Sequence, residues 1–335
     1  MLRIDDDRKA SAREWDTLWS SMQTATYYHS REWAEIWQEY TNNRIIPTPR
    51  MISFSDGVRV LLPFSRQRYF GGFIRRYSLT GPPAMALPYY GNWLTVNSLS
   101  DEHIVLLSDH IISKYKNLVW RLNPFDGNSN KISINSKYSS RNRFVTYIID
   151  LTKGEDYIYS RMKQSCRNQV RQGIRNNLVV TEAEDIEHWK KYYEIYRGTL
   201  KRWGSKTLYV LKWKIFKILF SKQGSNVKLW LVWHKDDPIA GGICFYSHGK
   251  ITSWHIASLS EYHQLRPVNL LKYTIIKDGM NKKYNLFDFE TAGGNKGLQK
   301  FKKSFGPEEL MCDMIIRWHP LIHYTKMILN FSKKH

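Results

Sequence analysis

Apolar and polar positions alternate along this chain with two different periods, and each period predicts one kind of element. Spacings of three to four residues predict helices in the first half near residues 10–22, 30–40 and 101–116. Strand-like runs lie between these helices, at residues 44–54, 58–64 and 118–123. The first half therefore combines helices with antiparallel strands.

The second half alternates in the same way. Its predicted helices cover residues 156–175, 186–203, 210–221 and 267–281. Three strands, at 228–233, 238–246 and 251–257, are separated by the short turn signals Asp236-Asp237 and His248-Gly249, which is typical of an antiparallel meander. A strand, a glycine-rich corner, a short helix and a last strand complete this half.

The shared order of elements predicts an α/β (α+β mixed) fold of two tandem domains, each with a mixed, largely antiparallel sheet flanked by helices. Polar stretches at 126–130 and 139–142 indicate a hinge between the halves. We therefore expect an N-terminal domain at 1–143 and a C-terminal domain at 144–318. Residues 319–335 are typical of an amphipathic helix, which could dock on the protein or on a membrane surface.

The segment 285–306, NLFDFETAGGNKGLQKFKKSFG, is the most informative part of the sequence. A short strand runs into Gly293, Gly294 and Gly297, where backbone can approach a ligand closely. The lysines that follow could meet a phosphate or a developing oxyanion. Alternation in the strand places Asp288 and Glu290 on one face, where they could accept a proton or orient a substrate. Solvated lysines, and ion pairs between them and the two acids, are the alternatives.

A second pattern is a row of cations four residues apart in a predicted helix: Lys163, Arg167, Arg171 and Arg175. No acidic residue occurs between residues 161 and 175, and like charges at this spacing repel one another. An external anion would relieve the repulsion, so we interpret the row as a phosphate-binding ridge, with a solvated basic face as the alternative. On the adjoining face, four apolar side chains recur at the same spacing: Met162, Cys166, Val170 and Ile174. His255, on a predicted strand, is a weaker candidate for chemistry.

Composition favours an anionic partner. The chain has 51 Lys and Arg against 30 Asp and Glu, a net charge of +21, which suits nucleic acid, phosphorylated substrates or an anionic membrane face. A generally lysine-rich proteome is the alternative origin of this charge. Three widely spaced cysteines without a CxxC predict neither a disulfide framework nor a zinc site.

Other classes lose support because their motifs do not occur. The sequence has no GxGxxG after a strand, no GxxxxGK[ST], no HExxH and no GxSxG, which argues against nucleotide hydrolysis, zinc proteolysis and serine hydrolysis. The polar N-terminus lacks the apolar core of a signal peptide, and no run of about 18 apolar residues occurs. We therefore expect a cytoplasmic protein without a bound metal or cofactor.

The segment KGLQKFKKSFG, at 296–306, resembles the glycine–aromatic–FK–x–x–FG signature of FemABX-like transferases, in the acyltransferase superfamily with the N-acetyltransferase (GNAT) fold. Weaker similarities occur at 30–33, 167–175, 240–242 and 266–267, so the resemblance runs from about Tyr27 to Arg317. It implies two GNAT-like domains flanking a cleft. It also implies transfer of an aminoacyl group from a charged tRNA to an amine of a cell-wall precursor, whereas relatives transfer other acyl groups.

The resemblance also implies roles for individual residues. By motif position, Phe301 and Lys302 are the aromatic side chain and the cation at the reaction centre. Lys302 would stabilise the oxyanion formed as the substrate amine attacks the ester, so no protein nucleophile is needed. The residues expected to contact substrate are Lys163, Arg167, Arg171, Arg175, Arg266, Asp288, Glu290, Gly297 and Phe305.

Two positions depart from the family pattern. Members that bind the muramyl-pentapeptide precursor have a lysine four residues after the tryptophan aligned with Trp33, and this chain has Trp37 there. Acetyl-CoA-dependent relatives use R/Q-x-x-G-x-G/A, and the corresponding run at 266–271 lacks both glycines. Pro267 in that run has no N–H for a phosphate. Coenzyme A in its usual mode is therefore not expected.

The expected partners are aminoacyl-tRNA or another anionic acyl donor, and an amine-bearing envelope precursor. A peripheral contact with the inner face of the cell membrane stays open, and no stable protein partner is implied. An alternative enzyme is an N-acyltransferase of surface polysaccharide or lipid assembly that uses another acyl donor. The alternative outside enzymes is a basic tRNA- or membrane-binding protein.

Overall fold

The computed structural model describes residues 1–69, 74–79, 90–128, 131–132, 138–203 and 210–320. The chain divides into two units, the first made of residues 1–144 and 311–335 and the second of residues 145–310. The domain boundaries expected after residues 143 and 318 stay a prediction. The predicted terminal helix at 319–335 lies almost wholly outside the described residues.

The first unit contains two sheets and three described helices. One sheet has the order β1-β3-β4, from β1 (Ile4–Lys9), β3 (Arg50–Phe54) and β4 (Arg59–Leu62). The other has the order β2-β5-β6-β7-β14, from β2 (Ile45–Pro47), β5 (Phe64–Tyr69), β6 (Ile74–Leu79), β7 (Leu118–Arg121) and β14 (Glu308–Arg317). The helices are α1 (Ala12–Ser21), α2 (Arg31–Tyr40) and α3 (Asp101–Lys114).

Strand β1 has no counterpart among the predicted elements, because IDDDRK lacks an alternating apolar pattern. Its position depends on residues distant in the sequence. It pairs antiparallel with β3, and Asp7 accepts hydrogen bonds from Arg50, His110 and Lys114. Burial opposes ionisation of Asp7, but these three partners hold the pKa of its carboxyl well below the usual range.

The second unit has one mixed sheet. Its strands are β8 (Ser139–Asp150), β13 (Leu286–Thr291), β12 (Lys250–Ser258), β11 (Asp237–Ser247), β10 (Val227–His234) and β9 (Val179–Glu182), in that order. All neighbours are antiparallel except β12 and β13, which are parallel. The helices are α4 (Glu155–Arg161), α5 (Gln164–Arg175), α6 (Ile186–Trp203), α7 (Trp213–Ser221), α8 (Pro267–Asn281) and α9 (Lys296–Lys303).

Two consecutive glycines show how the helices of this unit cover both faces of the sheet. A Cβ atom on Gly241 would lie 2.8 Å from the ring of Tyr192 on α6, whereas one on Gly242 would lie 3.4 Å from Leu271 on α8. Successive strand residues face opposite sides, so α6 and α8 pack on opposite faces. The predicted mixed α/β class, with largely antiparallel sheets flanked by helices, is confirmed.

The single helix predicted over 156–175 is wrong, because the chain is extended at Met162 and Lys163 and separates α4 from α5. The backbone N–H of Lys163 donates to the carbonyl of Ser304 (2.8 Å), a contact that a continuous helix would not allow. The buried positions of α5 are Cys166, Val170 and Gly173. Ile174, which we expected on the apolar face, is 56% exposed.

Candidate active site

Strands β12 and β13 pair with each other over only three residues. The paired residues run from Lys250 with Leu286 to Thr252 with Asp288, although β12 continues to Ser258 and β13 to Thr291. The two strands therefore lose their mutual pairing halfway along, and we call the interval beyond the last pair the β12–β13 gap.

Both strands are irregular where this gap begins. In β12, Trp254 is an extra residue, because the register with β11 passes from Ser253 directly to His255. In β13, Glu290 has a φ of 61°, and the register with β8 shifts between Asp288 and Thr291. Such bulges end regular pairing and change the direction in which side chains point. The gap is therefore formed by an irregularity in each strand.

Lys302 fixes the irregular end of β13. It lies on α9, is 6% exposed, and its ammonium donates to the carbonyls of Phe289 (2.5 Å), Glu290 (2.9 Å) and Thr291 (2.9 Å). Burial lowers the pKa of Lys302 to about 8, against the opposing effect of the nearby acids Glu290 and Asp288. Because an ammonium has three N–H groups, a substrate oxyanion at this position must displace one of the three carbonyls.

The two acids predicted on this strand are both buried. Asp288 Oδ1 accepts a hydrogen bond from Thr146 Oγ1 (2.7 Å) and another from the backbone N–H of Glu290 (2.7 Å). The predicted alternation along the strand ends at Phe289, because the left-handed backbone at Glu290 turns the chain. The sequence pattern therefore located both carboxylates but not the bond between Asp288 and the backbone of Glu290.

A second buried lysine, Lys272 on α8, is absent from the residues predicted from sequence. Its ammonium donates to Ser253 Oγ on β12 and lies 5.3 Å and 5.6 Å from the ring centroids of Phe287 and Phe289 on β13. Lys272 therefore contacts both strands at the gap. Its position could have been noticed from sequence, because it is a lysine on the helix face that also carries the buried Ile275 and Gly279.

Lys272, Lys302, Asp288 and Glu290 form what we call the buried charge group. All four residues are at most 6% exposed. Burial lowers the pKa of Lys272 to about 8, and the positive charge of Lys302 acts in the same direction, whereas Glu290 and Asp288 oppose it. Charges removed from water in this way interact more strongly with a substrate than they would at the surface.

The aromatic residues of the predicted motif belong to the hydrophobic core. Phe305 is fully buried, with its ring centroid 5.3 Å from Phe289 and 5.4 Å from the half-buried Phe301. Gly297 lies in the first turn of α9, where a Cβ atom would be 3.3 Å from Asn295 Oδ1. That oxygen caps α9 by accepting the N–H of Leu298. The roles predicted for Phe301, Phe305 and Gly297 stay predictions.

The predicted cation row divides into three kinds of position. Arg167 donates to the carbonyls of Tyr159 and Ser160 and to Gln164 Oε1, so its guanidinium is used locally. Lys163 is exposed and precedes α5 as its N-cap residue. Arg171 and Arg175 are exposed on α5. Because α5 packs on α8 through its buried face, these two arginines lie on the outer surface of that layer.

Arg266 immediately precedes α8 in a left-handed conformation, with φ of 63°. Pro267 occupies the first helical position, as predicted, so one N–H that would face an anion at this helix start is missing. Arg266 is half-buried, and its substrate-binding role stays a prediction.

The lowered pKa values of the buried lysines predict a pH dependence of stability. A lysine that titrates near 10.5 when unfolded and near 8 when folded binds more protons in the unfolded chain, so its effect favours folding as pH rises between these values. Relative to Lys272→Met, the wild type should gain about 1.5 kcal/mol of unfolding free energy between pH 8 and 9.5. Urea denaturation at several pH values measures this difference, and parallel pH profiles for the two proteins would contradict it.

Within the part of the chain that the structure describes, no three His, Cys, Asp or Glu side chains form a group that could hold a metal ion. In the same residues, no helix has the length and apolar character needed to cross a bilayer.

Part of the second unit is similar to a known domain family. Residues 160–303 match the family model of the acetyltransferase (GNAT) domain. No curated protein sequence matches the chain. The crystal structure of FemX superimposes with a TM-score of 0.67 at 12% identity, covering 96% of this chain and 99% of FemX.

Two further structures have a similar fold. The C-terminal domain of a putative lysylphosphatidylglycerol synthetase from Agrobacterium fabrum gives a TM-score of 0.58 at 10% identity, over 95% of this chain and 96% of that domain. The structure of L-PGS from Bacillus licheniformis gives a TM-score of 0.56 at 11% identity, over 95% of this chain and 96% of that protein. These TM-scores show a shared fold, which agrees with the resemblance found in the sequence. The match to the family model indicates an acyltransferase of the GNAT type.

Proposed function

We propose that this GNAT-type acyltransferase moves an aminoacyl group from aminoacyl-tRNA to an amine of a cell-envelope precursor. The observation that carries the proposal is the buried charge group at the β12–β13 gap, where two neighbouring strands lose their pairing beside two buried lysines and two buried carboxylates. The acceptor nitrogen would attack the ester carbonyl of the donor, an amide bond would form, and the tRNA hydroxyl would leave.

Lys302 is the residue best suited to the charge that develops in this reaction. As the amine attacks, the carbonyl oxygen becomes negative, and a fixed ammonium in a site shielded from water stabilises that charge strongly. The three carbonyls that hold Lys302 place its ammonium at the end of β13.

Charge and the start of α8 support tRNA as the donor. The net charge of +21 favours a polyanion, and Arg171 and Arg175 are exposed on the outer surface of α5. Pro267 and the lack of glycines at 268–271 disfavour the backbone cradle that would hold a pyrophosphate. The fold shared with FemX is consistent with aminoacyl transfer.

The similarity to lysylphosphatidylglycerol synthetase domains favours a second candidate, in which the acceptor belongs to a lipid. The same buried charge group would serve that reaction, because the donor ester and its oxyanion are unchanged. Identification of the acylated product by mass spectrometry distinguishes a lipid from a saccharide or peptide acceptor.

The decisive experiment is a transfer assay with purified protein and an envelope extract as the acceptor pool. A labelled mixture of charged tRNAs is compared with a labelled acyl-CoA, and the acylated product is identified by mass spectrometry. We expect transfer from charged tRNA. Absence of transfer, together with binding to charged tRNA that does not weaken as salt increases, would refute the proposal.

The exposed arginines of α5 give a prediction about donor binding. Arg171→Ala combined with Arg175→Ala should weaken binding of charged tRNA about tenfold at low salt. The plot of the logarithm of the association constant against the logarithm of salt concentration has a negative slope, and the magnitude of this slope should decrease by about one to two because two phosphate contacts are lost. Filter binding at several salt concentrations measures both quantities.

Lys217→Ala is the matched control, because Lys217 is an exposed lysine on α7, and α7 packs against α6. This variant should bind charged tRNA as the wild type does. An unchanged salt slope in the double arginine variant would remove α5 from the donor-binding surface.

A further inference from the structure

The three carbonyls that hold Lys302 belong to consecutive residues, which a regular strand would not allow. Successive carbonyls of a strand point to alternate edges, because its backbone repeats every two residues. Yet the carbonyls of Phe289, Glu290 and Thr291 all accept a hydrogen bond from one ammonium. The chain turns within these residues, at Glu290, where φ is 61°. The position of the Lys302 ammonium therefore depends on the path of the backbone at Glu290.

The side chain of Asp288 stabilises this turn. A residue with a Cβ atom adopts a positive φ only at a cost, so the turn at Glu290 needs support from its surroundings. Asp288 Oδ1 accepts a hydrogen bond from the backbone N–H of Glu290, two residues along the chain, at 2.7 Å. Aspartate makes the same bond in tight turns, where its side chain replaces a main-chain acceptor. Asp288 thus holds the N–H side of the turn, and Lys302 holds its carbonyls.

Thr146 on β8 holds the Asp288 carboxylate in turn. Its hydroxyl donates to the same Oδ1 at 2.7 Å. Asp288 is opposite Ile148, and Thr291 is opposite Thr146, so three steps along β13 correspond to two along β8. The extra residue of the bulge lies in this interval. Thr146 is two residues from Ile148 and therefore faces the same side of the sheet as Asp288. Its bond to Asp288 spans the bulge.

These groups lie where water does not replace a lost partner. Thr146 and Asp288 are fully buried, and Glu290 is 2% exposed. Hydrogen bonds to a carboxylate are stronger than those between neutral groups, and a buried donor or acceptor that loses its partner is costly. Loss of the Thr146 hydroxyl or of the carboxylate would therefore let the turn at Glu290 relax.

We propose that Thr146 and Asp288 are positioning residues, which hold the backbone at Glu290 in the path that places the Lys302 ammonium. The inference rests on the proposed aminoacyl transfer and deepens it. Neither residue touches the substrate in this role, and Asp288 acts through its two hydrogen bonds and not by accepting a proton. A shift of the ammonium by about 1 Å would weaken its interaction with the oxyanion, because that interaction depends on fixed alignment.

Two substitutions of Asp288 separate its hydrogen bonds from its charge. Asp288→Asn keeps an oxygen that can accept from both Thr146 and Glu290, whereas Asp288→Ala keeps no acceptor. The assay uses the full chain, charged tRNA and the acceptor identified in the transfer experiment. We expect kcat to fall about 100-fold in Asp288→Ala and less than about fivefold in Asp288→Asn, with KM changed less than about threefold in both. Equal losses in the two folded variants would overturn the proposal.

Substitutions of Thr146 test the second residue with smaller changes of structure. Thr146→Val removes the hydroxyl and preserves the shape of the side chain, and it should lower kcat about tenfold. Thr146→Ser keeps the hydroxyl and should stay within about twofold of the wild type. In a Lys302→Met background, Thr146→Val should cause no further loss, because it acts through Lys302. A further tenfold loss in that background would overturn the role of Thr146.

Thr152→Val is the matched control. Asp150 Oδ1 accepts hydrogen bonds from the Thr152 hydroxyl (2.6 Å) and from the backbone N–H of Thr152 (3.0 Å), so this carboxylate has the same kinds of donor as Asp288. The pair lies at the end of β8 and contacts neither Glu290 nor Lys302 in these bonds. We expect wild-type kcat in this variant. Thermal melts check that every variant is folded before it is assayed.

Hydrogen exchange gives a measurement that does not depend on transfer. The N–H of Glu290 should exchange at least about tenfold faster in Asp288→Ala than in the wild type, because its acceptor is lost, and Asp288→Asn should retain most of the protection. Mass spectrometry of the peptide that covers β13 measures this rate. Unchanged exchange in Asp288→Ala would overturn the positioning role. A wild type that transfers no aminoacyl group would overturn the proposed function, and the exchange result would still decide whether Asp288 holds the turn.

Discussion

Substitution of Lys302 by methionine is expected to reduce transfer more than 100-fold and to lower the free energy of unfolding by about 3 kcal/mol. The carbonyls of residues 289, 290 and 291 would lose their shared donor, and each unsatisfied buried group costs about 1–3 kcal/mol. Methionine preserves much of the side-chain volume, so the loss is mainly polar. Urea denaturation measures stability, and single-turnover transfer measures catalysis.

Lys300→Met is the appropriate comparison, since Lys300 is exposed on the same helix. We expect it to retain the stability and activity of the wild type. Binding of charged tRNA to Lys302→Met should stay within about threefold of the wild type, because the proposed role of Lys302 is stabilisation of the transition state. A folded, less stable Lys302→Met variant with full transfer would show that Lys302 only supports the structure.

Gly306→Ala is expected to lower the free energy of unfolding by at least about 4 kcal/mol. Gly306 has a φ of 72°, where an L-residue costs about 1–2 kcal/mol. In addition, its Cβ would overlap the carbonyl oxygen of Arg161 and lie 2.5 Å from the carbonyl carbon. Backbone atoms cannot rotate away, so α4 and α9 would have to separate. Urea denaturation or thermal melting measures the loss.

Gly293→Ala separates the two causes. Gly293 also has a positive φ, 55°, but nothing lies within 4 Å of a Cβ built there. Its substitution should therefore cost only about 1–2 kcal/mol, from the backbone conformation alone. Equal losses for the two variants would mean that the contact with Arg161 relaxes at no cost.

Elements with strong local signals could be predicted from the sequence. Helix α8 begins at Pro267 and ends at Asn281, as its apolar spacing and its N-terminal proline indicate. The meander of β10, β11 and β12 follows from strand-like runs separated by short turns. In these elements the local pattern and the packing favour the same conformation.

Features that depend on distant residues could not be predicted. The break between α4 and α5 contains neither glycine nor proline, and it is accompanied by the contact between Lys163 and Ser304, far along the chain. The sequence placed Lys302 on the short helix after β13, but its three carbonyl partners depend on the bulge at Glu290. Spacing alone does not reveal a bulge, because its extra residue is recognised only from the partner strand.

The hydrogen bonds of Lys302 also affect how this protein can diverge during evolution. Their acceptors are main-chain carbonyls, which every amino acid possesses, so residues 289–291 can change identity without loss of these bonds. Only the lysine and the path of the backbone must be retained. A relative with different side chains at these three positions could therefore keep the same anchor for its lysine, because the bonds depend on the path of the backbone.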